Sequence, residues 1–86
     1  MYTWGFIAGD EQAAALLDAL PTEALVALQE LMTAITLDPW GLAGRDPERD
    51  LNMPTVPFGP HKQGQVTFLI LDGPREVWIT QVTWPD

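Results

Sequence analysis

Residues 65–71 (QVTFLIL) and 76–84 (EVWITQVTW) constrain this sequence most. Both runs are rich in β-branched and aromatic side chains, which suit a pleated and partly buried backbone. The link between them, Asp72-Gly73-Pro74-Arg75, has the length and turn chemistry of a hairpin connection. Each run carries apolar residues on both faces under strict alternation. Val66, Phe68 and Ile70 oppose Leu69 and Leu71, and Trp78, Val82 and Trp84 oppose Val77 and Ile79. Central strands covered on both sides read this way. One face calls for a helical layer, and the other for loops, a C-terminal turn or another chain.

The helical layer lies upstream. Residues 2–7 alternate, with Tyr2, Trp4 and Phe6 on one face, and predict a first strand. Asp10 is placed to cap a first helix in which Ala13, Leu16, Leu17 and Leu20 recur at helical spacing until Pro21 stops it. Thr22 is placed to cap a second, with Leu25, Leu28, Met32 and Ile35 as its apolar stripe and Leu31 beside it. So short a junction predicts an antiparallel helical hairpin. The second helix ends near Leu37, because Pro39 restricts Asp38 and Gly41 frees the exit.

Residues 40–52 (WGLAGRDPERDLN) follow neither period and read as an exposed loop. Residues 53–58 are extended, but Pro54 and Pro57 lack amide donors and confine them to a sheet edge or a bulge. Residues 59–64 turn the chain back. The expected fold is an α+β domain of order β-α-α-β-β-β spanning residues 1–86, its helical hairpin packed on one face of a small, mostly antiparallel sheet.

At 86 residues, with 47% hydrophobic side chains and four tryptophans, one core must carry the whole stability. The chain has no cysteine, which excludes disulfides and thiolate chemistry and fits a cytoplasmic protein. It has no serine either, so the common nucleophile triads are excluded. No stretch has the roughly 18 apolar residues of a membrane span or the pattern of a leader. Twelve acidic residues against four basic ones give a net charge of −8, which opposes direct nucleic-acid binding and favours a basic protein partner.

Several residues punctuate the chain in a familiar order. Leu20-Pro21 opens the second helix, Leu37-Asp38-Pro39-Trp40-Gly41 closes it, and the last hairpin ends in Thr83-Trp84. In this the chain resembles the RelE/ParE toxin superfamily. The resemblance covers most of the chain and implies a toxin-module protein with a cognate antitoxin among its candidate partners. It does not extend to ribonuclease residues. Members that cut messenger RNA on the ribosome carry Lys and Arg on the sheet and a Tyr or His near the C-terminus, to stabilise phosphate charge and move protons. This chain has Val66, Thr67, Phe68, Leu69 and Ile70, then Thr80, Gln81, Val82, Thr83 and Trp84, at the corresponding strands.

The remaining catalytic candidates are His61 and Lys62 in the glycine-rich turn, with Arg75 on a different turn, as a rearranged site on a phosphate. The plainer reading of His61 and Lys62 is a polar loop tip. Asp46, Glu48 and Asp50 alternate, but Arg45 and Arg49 interrupt their field and no calcium-loop spacing is present, so no metal site is expected. No glycine motif for a nucleotide is present, and no cofactor is expected. Trp40 and Trp84 are the candidate partner contacts. The leading expectation is protein binding through the sheet face, to another protein or to a second copy. The alternatives are a ribosome-dependent mRNA endonuclease built on His61, Lys62 and Arg75, and a stand-alone small structural or interaction protein.

Overall fold

The computed structural model describes residues 1–7 and 9–85, with the side chain of residue 10 outside the description. Its elements are β1 (Thr3–Phe6), α1 (Asp10–Asp18), α2 (Thr22–Leu37), α3 (Pro39–Ala43), β2 (Thr55–Phe58), β3 (Gly64–Leu71) and β4 (Glu76–Thr83). The strands form one mixed sheet of order β1-β4-β3-β2, with β1 parallel to β4 and the other two pairings antiparallel. The α+β class and the order β-α-α-β-β-β are as expected, with α3 as an addition.

Each helix starts one residue earlier than expected, at the residue read from the sequence as its cap. Gly9 and Pro21 hold the cap positions, so α1 opens at Asp10 and α2 at Thr22. Proline suits the position before Thr22, since an amide there has no intrahelical acceptor to lose. The buried stripe of α2 is Ala24, Leu28, Met32 and Ile35. Leu25 is displaced from that stripe and faces a cleft of about 230 Å³ shared with Trp4, Leu17 and Leu28. Leu17 of α1 and Leu25 and Leu28 of α2 line that cleft together, from the two helices of the expected hairpin.

Residues 40–43, expected in a loop, belong to the short helix α3. Asp38 is extended, which ends α2, and its carboxylate then accepts the Gly41 N–H at 3.0 Å and caps α3. Pro39 occupies the first helical position, where its missing N–H is harmless. Gly44 takes the left-handed conformation (φ 67°), and the Arg45 N–H donates to the Trp40 carbonyl at 2.9 Å, closing α3 as a Schellman motif.

The core lies between α2 and one sheet face. Val56 and Phe58 of β2, Val66, Phe68 and Ile70 of β3, and Val77 and Ile79 of β4 are buried against the α2 stripe. A bulge corrects the strict alternation expected of β4. Phe68 pairs with Ile79 but Thr67 pairs with Gln81, so Thr80 is the extra residue. The phase shifts there, and Val82 and Trp84 join Val77 and Ile79 on the helical side while Trp78 faces the other way.

Both sheet edges are guarded. Phe68 donates its N–H to the Pro54 carbonyl (3.1 Å) and Ile70 to that of Asn52 (2.8 Å), so the even-numbered residues of this segment face β3. Thr55 and Pro57 turn outward, where Pro57 withholds a donor from any strand seeking to extend the sheet. At the other edge β1 is only four residues long.

Trp84 lies on Phe58, ring centroids 5.4 Å apart, and over Gly64. A β-carbon on Gly64 would sit 2.6 Å from the Trp84 ring and 2.7 Å from that of Phe58. Gly64→Ala is therefore expected to cost about 1–3 kcal/mol. At roughly 4–8 °C per kcal/mol for a domain of this size, thermal melting reads the loss directly. Gly73→Ala, which meets open space, serves as control and is expected to stay within about 0.5 kcal/mol of the parent.

Candidate functional site

His61 and Lys62 sit on the turn between β2 and β3, and Arg75 sits on the turn between β3 and β4. These turns cap opposite ends of β3, an eight-residue strand, and so stand roughly 25 Å apart. The three side chains do not converge, which corrects the expectation of neighbouring turns. His61 is exposed, and its backbone N–H donates to the Gln63 side-chain carbonyl at 3.0 Å. Lys62 and Arg75 each adopt a left-handed backbone (φ 58°), the conformation their tight turns demand.

Arg75 instead joins a cluster at the far end of the sheet. The Tyr2 hydroxyl donates to Oδ1 of Asp72 at 2.6 Å, and the Trp40 indole N–H donates to the same oxygen at 2.9 Å. The Arg75 guanidinium lies 5.9 Å from the centre of the Tyr2 ring. Four parts of the fold meet here. The chain before β1 supplies Tyr2, α3 supplies Trp40, the last hairpin turn supplies Asp72 and Arg75, and the end of α2 accepts the Tyr2 N–H at the Thr36 carbonyl (2.8 Å).

Charge–dipole chemistry decides what the cluster does. Hydrogen bonds from Trp40 and then Tyr2 hold the Asp72 carboxyl below its ordinary range. The hydrogen bond to Asp72, followed by burial, pushes the Tyr2 phenol above its ordinary value. A carboxylate made less basic and a phenol made less acidic are both poorer proton carriers near neutrality. The cluster is a tie between elements, with one Asp72 oxygen accepting from both Tyr2 and Trp40. Sequence reading singled out Trp40 and Arg75 but missed Tyr2 and Asp72, because a bond across 70 residues leaves no local signal.

The two tryptophans expected to meet a partner are both half-buried against the core. Trp40 is committed to Asp72, while Trp84 packs on Phe58 and lines an open groove with Leu20.

The sheet face away from the core carries a row of apolar groups. Leu69 pairs with Trp78, and Trp78 pairs with Gly5, so the row crosses β3, β4 and β1. The Trp78 ring lies over Gly5, its Nε1 donating to Glu76 at 3.3 Å. Leu71 extends the row, and Thr55 and Thr67, joined hydroxyl to hydroxyl at 2.7 Å, flank it. The helical side chains of the core all meet the opposite face, leaving Leu69, Leu71 and Trp78 partly exposed. Among the described residues no three His, Asp or Glu side chains come together to hold a metal. The alternating acids of residues 46–50 bond within their own loop, where Asp46 pairs with Arg49 at 3.0 Å and accepts the Glu48 N–H.

The Asp72 tie has opposite pH limits at its two ends. The lowered Asp72 carboxyl adds stability above its unfolded value, and that stability is lost as pH falls through the folded one. The raised Tyr2 phenol adds stability below its ordinary value of about 10, lost as pH rises through the folded one. Because the chain has a single tyrosine, tyrosinate absorbance titrates Tyr2 alone. Its midpoint is expected above 10 in the parent and nearer 10 in Asp72→Asn. In urea denaturation, the same variant is expected to flatten the acid limb of the stability profile. Comparison with protein-family models, curated proteins and solved structures finds no match to this chain.

Proposed function

We propose that this chain is a RelE/ParE-like domain that acts by binding another protein through the open face of its sheet, as a cytoplasmic toxin-module-type protein without the usual ribonuclease residues. The row of Leu69, Trp78 and Gly5 carries the reading. An apolar strip crossing three strands, rimmed by threonines, suits a protein contact: an aromatic anchor at the centre with hydrogen-bonding groups around it.

Two further observations support a face rather than an edge. The outward Pro57 and the short β1 leave little backbone for strand addition. Glu76 is the charged residue that the pairing register sets beside Trp78 and Leu71, and the chain's net charge is −8. A basic partner, of the kind a cognate antitoxin would supply, complements that charge better than a second acidic copy does. The separation of His61 and Lys62 from Arg75 removes geometric support from the endonuclease alternative.

The reading is tested by expressing the chain alone in a bacterial host with a photo-crosslinking amino acid at position 69. Messenger RNA ends are mapped by primer extension in the same cells. The expected result is a discrete adduct from position 69, absent with the crosslinker at exposed Glu11 and lost on adding Trp78→Glu, with RNA ends unchanged. New translation-dependent RNA ends would sink the binding reading in favour of the nuclease. No adduct from position 69 would overturn the assignment of the open face.

A further inference from the structure

On the helical side of the molecule two open grooves of about 710 and 600 Å³ adjoin at Glu23. The first runs beneath the junction of α1 and α2 against Trp84, and the second runs along α2 against the turn after Phe58. Apolar residues line both, Leu20 and Trp84 the first and Ala27, Leu31 and Phe58 the second, and Val26 is half exposed on the α2 wall. Glu23 and Glu30 line the same wall. Seven residues apart on one helix, they share a face and are separated by roughly 10.5 Å. Lys62 on the facing turn is the one cation among the lining residues.

We propose that this groove is a second docking surface, distinct from the open sheet face, and that it takes an amphipathic helix of another protein bearing two basic residues two turns apart. An apolar channel beside a helix is a recurring seat for such a helix, whose residues at i, i+3 or i+4, and i+7 fill the floor. The paired glutamates select its charge and set the spacing of the basic residues. Lys62 rejects the same cations from the opposite wall and thereby fixes orientation.

The occupant is not a second copy of this chain. Its helices contain no lysine or arginine, since the four basic residues are Arg45, Arg49, Lys62 and Arg75, all outside α1, α2 and α3. A docking α1 would bring Glu11 and Asp18 against Glu23 and Glu30. Like charges at that spacing repel.

The test uses the full chain, isotope-labelled for NMR, and two synthetic peptides of about 18 residues, long enough to hold a helix once docked. Both carry a leucine stripe, one with two lysines seven residues apart beside it and its twin with glutamates there. The lysine peptide is expected to shift Val26, Leu31, Phe58 and the Trp84 indole, and to bind roughly tenfold tighter than its twin. Glu23→Gln with Glu30→Gln should erase that preference, and Glu23→Lys with Glu30→Lys should invert it, with circular dichroism confirming the fold of each variant. Equal affinity for the two peptides, shifts centred on Leu69 and Trp78, or no binding at millimolar peptide would overturn the proposal. So would concentration-dependent self-association through this groove in the absence of peptide. Because the variants leave Leu69 and Trp78 untouched, failure here is distinguishable from failure of the open-face reading.

Discussion

The extra residue at Thr80 governs the two faces of this domain. Without it, β4 would turn Val82 and Trp84 toward the same side as Trp78, and the end of the sheet would lose its cover for Phe58 and Gly64. With it, four apolar residues of one strand reach the helices, and Trp78 stays alone on the other side. The Thr80 hydroxyl donates to the Thr67 carbonyl at 3.2 Å, so the irregularity in β4 is tied by a hydrogen bond to the facing strand β3. Core completeness at one end and an aromatic at the centre of the open face are thus products of a single local feature.

The sequence was legible where one period held and misleading where the period changed. The last hairpin, the helical stripe and the edge position of β2 follow from alternation, 3.6-residue spacing and proline placement. The faces of β4 did not, because strict alternation carries no mark of an inserted residue. α3 is a different case. Asp38 as cap, Pro39 at the first position and Gly44 at the exit are all ordinary helix signals, but five residues are too few for periodicity to show.

The candidate site was less legible than the fold. Residue chemistry pointed to His61, Lys62 and Arg75 because they are the histidine, the lysine and an arginine of a chain poor in such groups. Topology separates them by the length of β3. Tyr2 looked like a strand residue and Asp72 like a turn residue; Tyr2 in fact lies just before β1, and the pairing of β1 with β4 brings the two together. Trp40 completes the bond set from α3, a helix too short for its period to show in the sequence. Long-range topology, rather than local composition, determines which polar groups become neighbours here.

The parallel pairing of β1 with β4 also sets a timetable for folding. As the chain leaves the ribosome, β1 emerges first of these four strands, yet among the described residues its hydrogen-bonding neighbour in the sheet is β4, the last of the four. Tyr2, Trp4 and Phe6 must wait, unpaired, while the helices and the first hairpin form, and the Asp72 tie closes across 70 residues only when the final turn has appeared. Until that turn exists, the chain carries an aromatic strand without its partner in the sheet.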